Sequence, residues 1–522
     1  MNPESRNGNG ADSLVKTLVA NGVDVCFTNP GTSEMHFVSA LDRIDGMRCV
    51  LGLFEGVVAG AADGYYRIAD KPASTLLHLG PGLANGLANL HNAKKAGSGI
   101  VNIVGEHASY HLECNAPLTT DIEAIATPMS HWVRTSHSAA DVARDGAAAI
   151  TEARQPPGRI ATLVLPADTA WNDGAAVAQA EAPAARRAPE TASVADAARA
   201  LTRGHPAALL LGDIAVREEA LLLAGRIAAK TGCRILSEYA LARLQRGAGR
   251  VTTERIPYAV DPALAMLKDV GELVLVGARV PVAFFAYPGK PGVLTAPGCQ
   301  VTTLAASGDE QLAALQALAE HLGATSTRPA HLARLDRPGL PSGAITPEGI
   351  AAVLAALLPE HAIVVDESIT TGRGFNPAMS AAAPHDWLNI VGGSIGWGLP
   401  AATGAAIAAP ERTVIALEGD GSAMYTLQAL WTMARESLNV KVLVFANRRY
   451  RILQGELANV GAGTPGRKAD DMLSLDRPAL DWVSLARGHG VDGQRADDLD
   501  GLAKCLSRAL AAPGPSLIEV VI

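Results

Sequence analysis

One pattern limits the fold more than any other feature: a short apolar run, a turn containing Gly or Asp, then a longer Ala/Leu-rich run with helical spacing. CVLGLF followed by EGVVAGAADGYYRIA (49–69) shows it, as do AALLLGDIA with REEALLLAGRIAAKTG (207–232) and RTVIALEGDG with SAMYTLQALWTMARES (412–437). Strands that each feed a helix predict parallel sheets with helices on both faces. A chain of 522 residues is too long for a single core. Two proline-bearing stretches without apolar period, 178–194 and 325–349, divide it. The chain is therefore expected to be α/β, with three doubly wound parallel-sheet domains spanning 1–180, 195–325 and 345–522.

Composition removes several classes of partner. The net charge is −8, and the basic pairs Lys94-Lys95, Arg186-Arg187 and Arg448-Arg449 stand isolated without aromatic neighbours, so nucleic acid is not an expected partner. Six cysteines lie dispersed with no CxxC spacing, which argues against a zinc site or a disulfide framework and for a reducing, cytoplasmic setting. The opening residues, MNPESRNGNGADS, contain no apolar signal core, and no apolar run reaches the roughly 20 residues needed to cross a bilayer. Neither export nor membrane insertion is expected.

Within the third segment, TVIALE (413–418) and KVLVFA (441–446) read as strands, with Ser422 capping a helix that runs to about Glu436. In a βαβ unit the residues just past both strands share one sheet edge. Asp420 and Asn447 occupy those places. Gly419-Asp420-Gly421 alone is an ordinary strand-to-helix turn, but the distant asparagine changes its meaning. A carboxylate, an amide oxygen and phosphate oxygens held by backbone N–H groups at Gly421 and Ser422 form an all-oxygen set suited to Mg2+.

A Gly-Asp-Gly turn followed one crossover later by an asparagine resembles the thiamin diphosphate-dependent 2-oxo acid decarboxylase and acetolactate synthase superfamily, whose signature ends in an asparagine pair. That resemblance implies Asp420, Asn447 and the backbone carbonyl of Arg449 as Mg2+ ligands. Gly419, Gly421, Ser422 and Tyr450 would then surround the diphosphate. The first asparagine of the family's pair is Ala446 here. DESITTGRGF (366–375) and GGSIGWGLPAA (392–402) resemble the family's cofactor strand and its glycine turn, which implies cofactor contacts at Thr370 and Gly393. Ile395 takes the place of the apolar wedge that bends the cofactor.

The reactive end of such a cofactor requires a carboxyl group in an apolar setting. Glu55 is the only charge between Val50 and Ala62, and the GYYRIADKPA that follows resembles the family's glutamate helix. Glu55 is the implied catalytic carboxyl and also a cofactor contact. His78, in STLLHLGPGLANG, matches the proton-handling histidine of benzoylformate decarboxylase, and an imidazole titrating near neutrality suits that work. CFTNPGTSEMHF (26–37) resembles that enzyme's Asn-Pro-Gly-Ser-x-Glu, which implies Asn29 and Pro30 at the cofactor and Thr32 at the substrate.

Departures from the pattern are visible too. Phe284 stands where benzoylformate decarboxylase has a second histidine, so His78 works alone or His107 or His111 substitutes. Phe284, Ile452 and Glu456 are expected to shape the pocket. The resemblance implies decarboxylation of a 2-oxo acid followed by protonation, or by addition to an aldehyde or second oxo acid. Acetolactate synthase activity is the alternative, and a non-catalytic paralogue is a third. Thiamin diphosphate and Mg2+ are the implied cofactors, FAD is admitted but not favoured, and the implied assembly is a homodimer or homotetramer.

Overall fold

The computed structural model describes residues 8–174 and 176–522. Three sheets form the frame. The first contains β1 (Val25–Asn29), β2 (Arg48–Leu51), β3 (Ala73–Leu77), β4 (Ile100–Glu106), β5 (Trp132–Thr135) and β6 (Ile160–Pro166), in the order β2-β1-β3-β4-β6-β5. The central sheet uses β7 (Ala207–Leu211), β8 (Arg234–Ser237), β10 (Glu254–Arg255), β11 (Glu272–Val276) and β12 (Gln300–Ala305), in the order β10-β8-β7-β11-β12. Both are parallel throughout.

The third sheet is built from β13 (Ile363–Glu367), β14 (His385–Asn389), β15 (Val414–Gly419), β16 (Val440–Ala446), β17 (Asp492–Ala496) and β18 (Ser516–Val521). Its order is β17-β18-β16-β15-β13-β14-β9. The last member, β9 (Leu244–Arg246), comes from the central stretch of sequence and pairs antiparallel with β14. All other pairs are parallel, as the three-part sequence pattern requires. Most strands are buried on both faces and read as near-continuous apolar runs, for example LVLV in β11 and VKVLVFA in β16. Lys441 is the exception in β16, its ammonium donating to the carbonyls of Ala512 and Gly514.

The first and third sheets are joined by two helices that lie almost wholly in the interior. Glu55–Ala69 packs against Gly398–Ala408, and their glycines let the backbones approach closely. A Cβ at Gly60 would lie 2.6 Å from that of Pro400, and one at Gly64 or Gly404 would overlap the facing backbone. A buried ion pair bolts this contact. Asp63 accepts from Arg67 at 2.7 Å and from the Trp397 indole at 2.6 Å, and the guanidinium lies 4.4 Å from the centre of the Trp397 ring. Arg67 also donates to the carbonyl of Asn389. Removing one partner of so buried a pair costs about 3–5 kcal/mol.

Expectation and structure differ at the helix after Asp420. Asp420–Ala423 is a single turn capped by Gly419, and the helix resumes only at Ala429, ending at Arg435. Ser422 lies inside that turn and is not its cap. Thr426 donates its hydroxyl to the carbonyl of Gly396, and Tyr425 covers Gly396. This side-chain claim on another loop's backbone competes with helix continuation. No helix among the described residues is long and apolar enough to cross a membrane.

Candidate active site

Two sheet edges gather the residues singled out by sequence. Along the first sheet, β2, β1, β3 and β4 end side by side, with Leu51 level with Thr28, and Asn29 level with Leu77. Asn29 donates its amide to the carbonyl of Gly52, which ties the ends of β1 and β2 together. Pro30 and Gly31 then lead to a 3-10 turn over Thr32–Glu34, with Thr32 exposed.

Glu55 begins the buried helix, only 9% exposed. Its Oε2 accepts from the Asn85 amide at 3.0 Å, and no cation pairs with it among the described residues. Gly82 lies beside Oε1: a Cβ there would sit 3.0 Å from Oε1 and 3.3 Å from the Cβ of His78. The missing side chain leaves this carboxyl oxygen accessible. His78 follows β3 directly, and its Nδ1 lies 2.8 Å from Oε2 of Glu34, which is buried. Glu34 also accepts from the Gly31 N–H at 2.7 Å and from the Ser33 hydroxyl at 3.0 Å. A carboxylate so used is an acceptor, which makes Nδ1 the donor and leaves Nε2 free to exchange a proton. Sequence reasoning quoted Glu34 within a motif but gave it no role. Its spacing, three residues after Gly31, was the available signal, because a turn of that length returns a carboxylate to its own start.

The third-sheet edge is an oxygen cradle. Asp420 follows β15 and is 3% exposed. Its Oδ1 accepts from the Gly421 N–H at 2.9 Å and its Oδ2 from the Arg448 N–H at 2.6 Å. Burial without a cationic side-chain partner pushes its pKa up to about 6. Asn447 follows β16, level with the Asp420 turn as the βαβ argument requires, since Gly419 pairs with Phe445. Its Oδ1 accepts from the Arg449 N–H at 2.9 Å and keeps a second lone pair. Tyr450 packs its ring on Gly421. The expected phosphate cradle is narrower than sequence suggested, because the Gly421 N–H turns to the Asp420 carboxylate and the helix is one turn long.

Between the two edges runs the 392–398 turn, fixed on three sides. From the first domain, Asn92 donates to the carbonyl of Ser394, and Asn89 to that of Gly396. From β13, Glu367 accepts from the N–H groups of Gly396, Trp397 and Gly398 at 2.8, 3.0 and 2.6 Å. Ile395 is held between these anchors. Glu367 faces Glu418 across the β13–β15 ladder; burial pushes Glu367 up to about 7, and burial beside Glu367 holds Glu418 well above the carboxylate range. Thr370 lies just past β13, half-buried. Phe284 reaches the same turn from the central domain: a Cβ at Gly393 would sit 2.6 Å from the edge of its ring. Phe284 packs at an angle against Tyr258 and edge-on against Phe285, at centroid distances of 5.4 and 4.9 Å.

Among the described residues, no hydrogen bond or ion pair joins Glu55, Glu34 or His78 to Asp420, Asn447 or Tyr450. Nor does any group of three His, Cys, Asp or Glu side chains offer a metal site. A cation at Asp420 therefore relies on one carboxylate, neutral oxygens and the oxygens of its own ligand. This is the donor set Mg2+ takes with a phosphate ester, and an unpaired buried carboxylate fits it.

One sheet edge thus bears an oriented carboxyl-imidazole pair and the other an acidic oxygen cradle. The thiamine pyrophosphate enzyme family supplies the match: its N-terminal TPP binding domain corresponds to residues 8–126 and its C-terminal TPP binding domain to residues 372–520. The chain belongs to this family. It is 51% identical over 515 residues to a Mycobacterium tuberculosis protein with the provisional name acetolactate synthase large subunit IlvX, covering 98% of this chain and 99% of that one. Benzoylformate decarboxylase of Pseudomonas aeruginosa is 31% identical over 525 residues, covering 96% and 97%. Among solved structures, the thiamine diphosphate-dependent 4-hydroxybenzoylformate decarboxylase of Rhodococcus jostii RHA1 superposes with a TM-score of 0.86 at 26% identity, covering 98% of each chain.

Proposed function

We propose that this protein is a thiamin diphosphate- and Mg2+-dependent decarboxylase of a 2-oxo acid, of the benzoylformate decarboxylase type. The observation that carries this reading is the Glu34–His78 pair, an orienting carboxylate behind an imidazole at the edge that also holds Glu55. When bound, thiamin diphosphate supplies the electron sink that lets a 2-oxo acid lose CO2 and leaves a carbon to be protonated or added to a second carbonyl compound. Glu55 would hold the aminopyrimidine end, Ile395 the bend, and Asp420, Asn447 and the Arg449 carbonyl the Mg2+ and diphosphate. His78, with Nδ1 committed to Glu34, delivers or removes a proton at Nε2. Thr32 lies on the same loop as Glu34 and would contact the substrate carboxylate. Tyr258, Phe284 and Phe285 offer an aromatic wall beside Gly393, which favours an aryl-substituted 2-oxo acid.

Among the described residues, Glu55, Glu34 and His78 make no polar contact with Asp420, Asn447 or Tyr450, and each edge is bordered by exposed apolar side chains. Met35 and Leu53 flank the first, and Tyr425 and Leu453 the third. Two copies that exchange edges would complete two sites, so the active unit is a homodimer or a homotetramer.

Acetolactate synthase activity is the second reading, and the 51% identical relative favours it. The central sheet speaks against the FAD such a reading could bring. At its switch point between β7 and β11, Glu238 covers Gly212, and Gln311 covers Gly277 while donating to Asp213. Asp213, Glu238 and Gly277 border a cavity of about 590 Å3, which places carboxyl groups where a dinucleotide's phosphates would lie. CO2 release from benzoylformate, 2-oxobutanoate and pyruvate, with products identified, tests both readings in the presence of thiamin diphosphate and Mg2+. Benzaldehyde from benzoylformate supports the first and 2-acetolactate from pyruvate the second. Cofactor binding without turnover on any substrate would instead support a non-catalytic role.

A further inference from the structure

A second histidine at the first edge has no part in the scheme above. His107 follows β4, which lies beside β3 in register (Leu77 opposite Val104), so His107 stands one strand along from His78 on the same edge. Its peptide N–H donates to Oε1 of Glu106 at 2.7 Å. Its ring is 5.6 Å from that of His111, tilted by 59°. Its Nε2 is buried with no hydrogen-bond partner. Buried polar atoms are almost always satisfied, and one left open on an imidazole beside a reacting centre calls for a ligand or substrate group to complete it. At the other end of the site Phe284 offers no proton at all.

We propose that His107 is a second catalytic histidine, which protonates the reacting carbon through Nε2 after CO2 has left and is recharged from solvent through exposed His111. This inference rests on the decarboxylase reading. The proton balance is complete: loss of CO2 from a 2-oxo acid anion consumes one proton, which passes from the His107 imidazolium to carbon, and solvent restores it. The charged and titratable groups facing His107 are His78 on β3's extension, His111 on the following turn, Glu106 beneath it and Glu34 packed against Gly105. Burial, and then the neighbouring His111 and His78, hold the His107 imidazolium below the ordinary histidine range, which makes its charged form a strong donor.

The test uses the holoenzyme with benzoylformate. His107→Asn and His107→Gln should lower kcat for aldehyde formation by about 10²-fold, with KM within a few-fold and first-turnover CO2 release at the unaltered rate. His111→Asn should lower kcat less and shift the pH profile of kcat. In the cofactor-free protein with 13C-labelled histidine, the His107 resonance should titrate below the ordinary range and move upward in His111→Asn. Unchanged kcat in both His107 variants would overturn the proposal, as would an equal fall in CO2 release and aldehyde formation. A His107 titration indifferent to His111 would also overturn it. An unaltered protein that releases no CO2 from any 2-oxo acid would overturn the underlying reading, and this proposal with it.

Discussion

The first and third sheets present the same architecture at their C-terminal edges, yet they place opposite chemistry there. At the first edge the ionisable groups are oriented by side chains: Glu34 holds His78, and Asn85 holds Glu55. At the third edge the side chains are held by backbone: Asp420 accepts from two peptide N–H groups, and Asn447 from one. A proton-transfer group needs a defined tautomer and a poised charge, which a side-chain partner gives. A metal ligand needs a fixed oxygen and an unpaid charge, which a buried carboxylate on a tight turn gives. The same βα turn is therefore suited to two tasks, according to whether its partner is a side chain or a peptide group.

The largest effect should come from Glu55, because the other carboxyls of the first edge are engaged, Glu34 by His78 and Glu106 by the His107 N–H. Glu55→Gln should lower kcat by about 10²–10⁴-fold while thiamin diphosphate still binds, measured by steady-state turnover and by calorimetry of the cofactor. A variant with near-normal turnover would remove the functional contrast between the edges. Asp420→Asn should act on the other half. Retaining shape but losing the only carboxylate, it should weaken Mg2+-dependent cofactor binding by about 10–100-fold and leave kcat at saturating cofactor nearly intact. Titration of cofactor fluorescence quenching at several Mg2+ concentrations reads this, and an unchanged Mg2+ requirement would count against Asp420 as a ligand.

How much of this contrast the sequence displays depends on the range of each interaction. Strand-turn-helix units with apolar strands are local patterns, and all three sheets were legible from them. The Asp420–Asn447 pairing was legible for the same reason, since one crossover sets it. What escaped depends on contacts between distant segments. β9 joins the third sheet because Leu244–Arg246 meets His385–Trp387, more than a hundred residues away. The helix after Asp420 breaks because Thr426 reaches Gly396. Glu34 meets His78 only because β1 and β3 lie side by side. The positions of Glu55 and His78 on one edge were stated from a family likeness, and the register of β1, β2 and β3 now gives that placement a physical basis.

A smaller effect sharpens the first edge itself. Glu34→Gln can still accept from Gly31 but no longer fixes the His78 tautomer with a charge. It should lower kcat by roughly tenfold, because the imidazole has lost the carboxylate that fixes its tautomer. Steady-state turnover compared with the unaltered enzyme measures this change. Unchanged turnover would mean that His78 draws its orientation from elsewhere.

The smallest effect belongs to the central sheet, whose edge resembles neither of the others. Burial pushes Glu238 up to about 7, although Arg279 donates its peptide N–H to it. A carboxyl whose folded pKa lies above its unfolded value of 4.5 adds stability below that value, and the contribution is lost as pH rises toward 7. Thermal or urea unfolding between pH 4.5 and 7.5 should therefore show Glu238→Gln gaining on the unaltered protein as pH rises, by about 1–3 kcal/mol across that window. Turnover at neutral pH should change little: Glu238 shares its cavity with Tyr258 and Phe284, but no hydrogen bond among the described residues joins it to Glu55, His78, Asp420 or Asn447. A pH-independent difference would mean that Glu238 is charged in the folded protein. The central edge would then be a second acidic cradle, and the division of labour between the first and third edges would extend to a third partner.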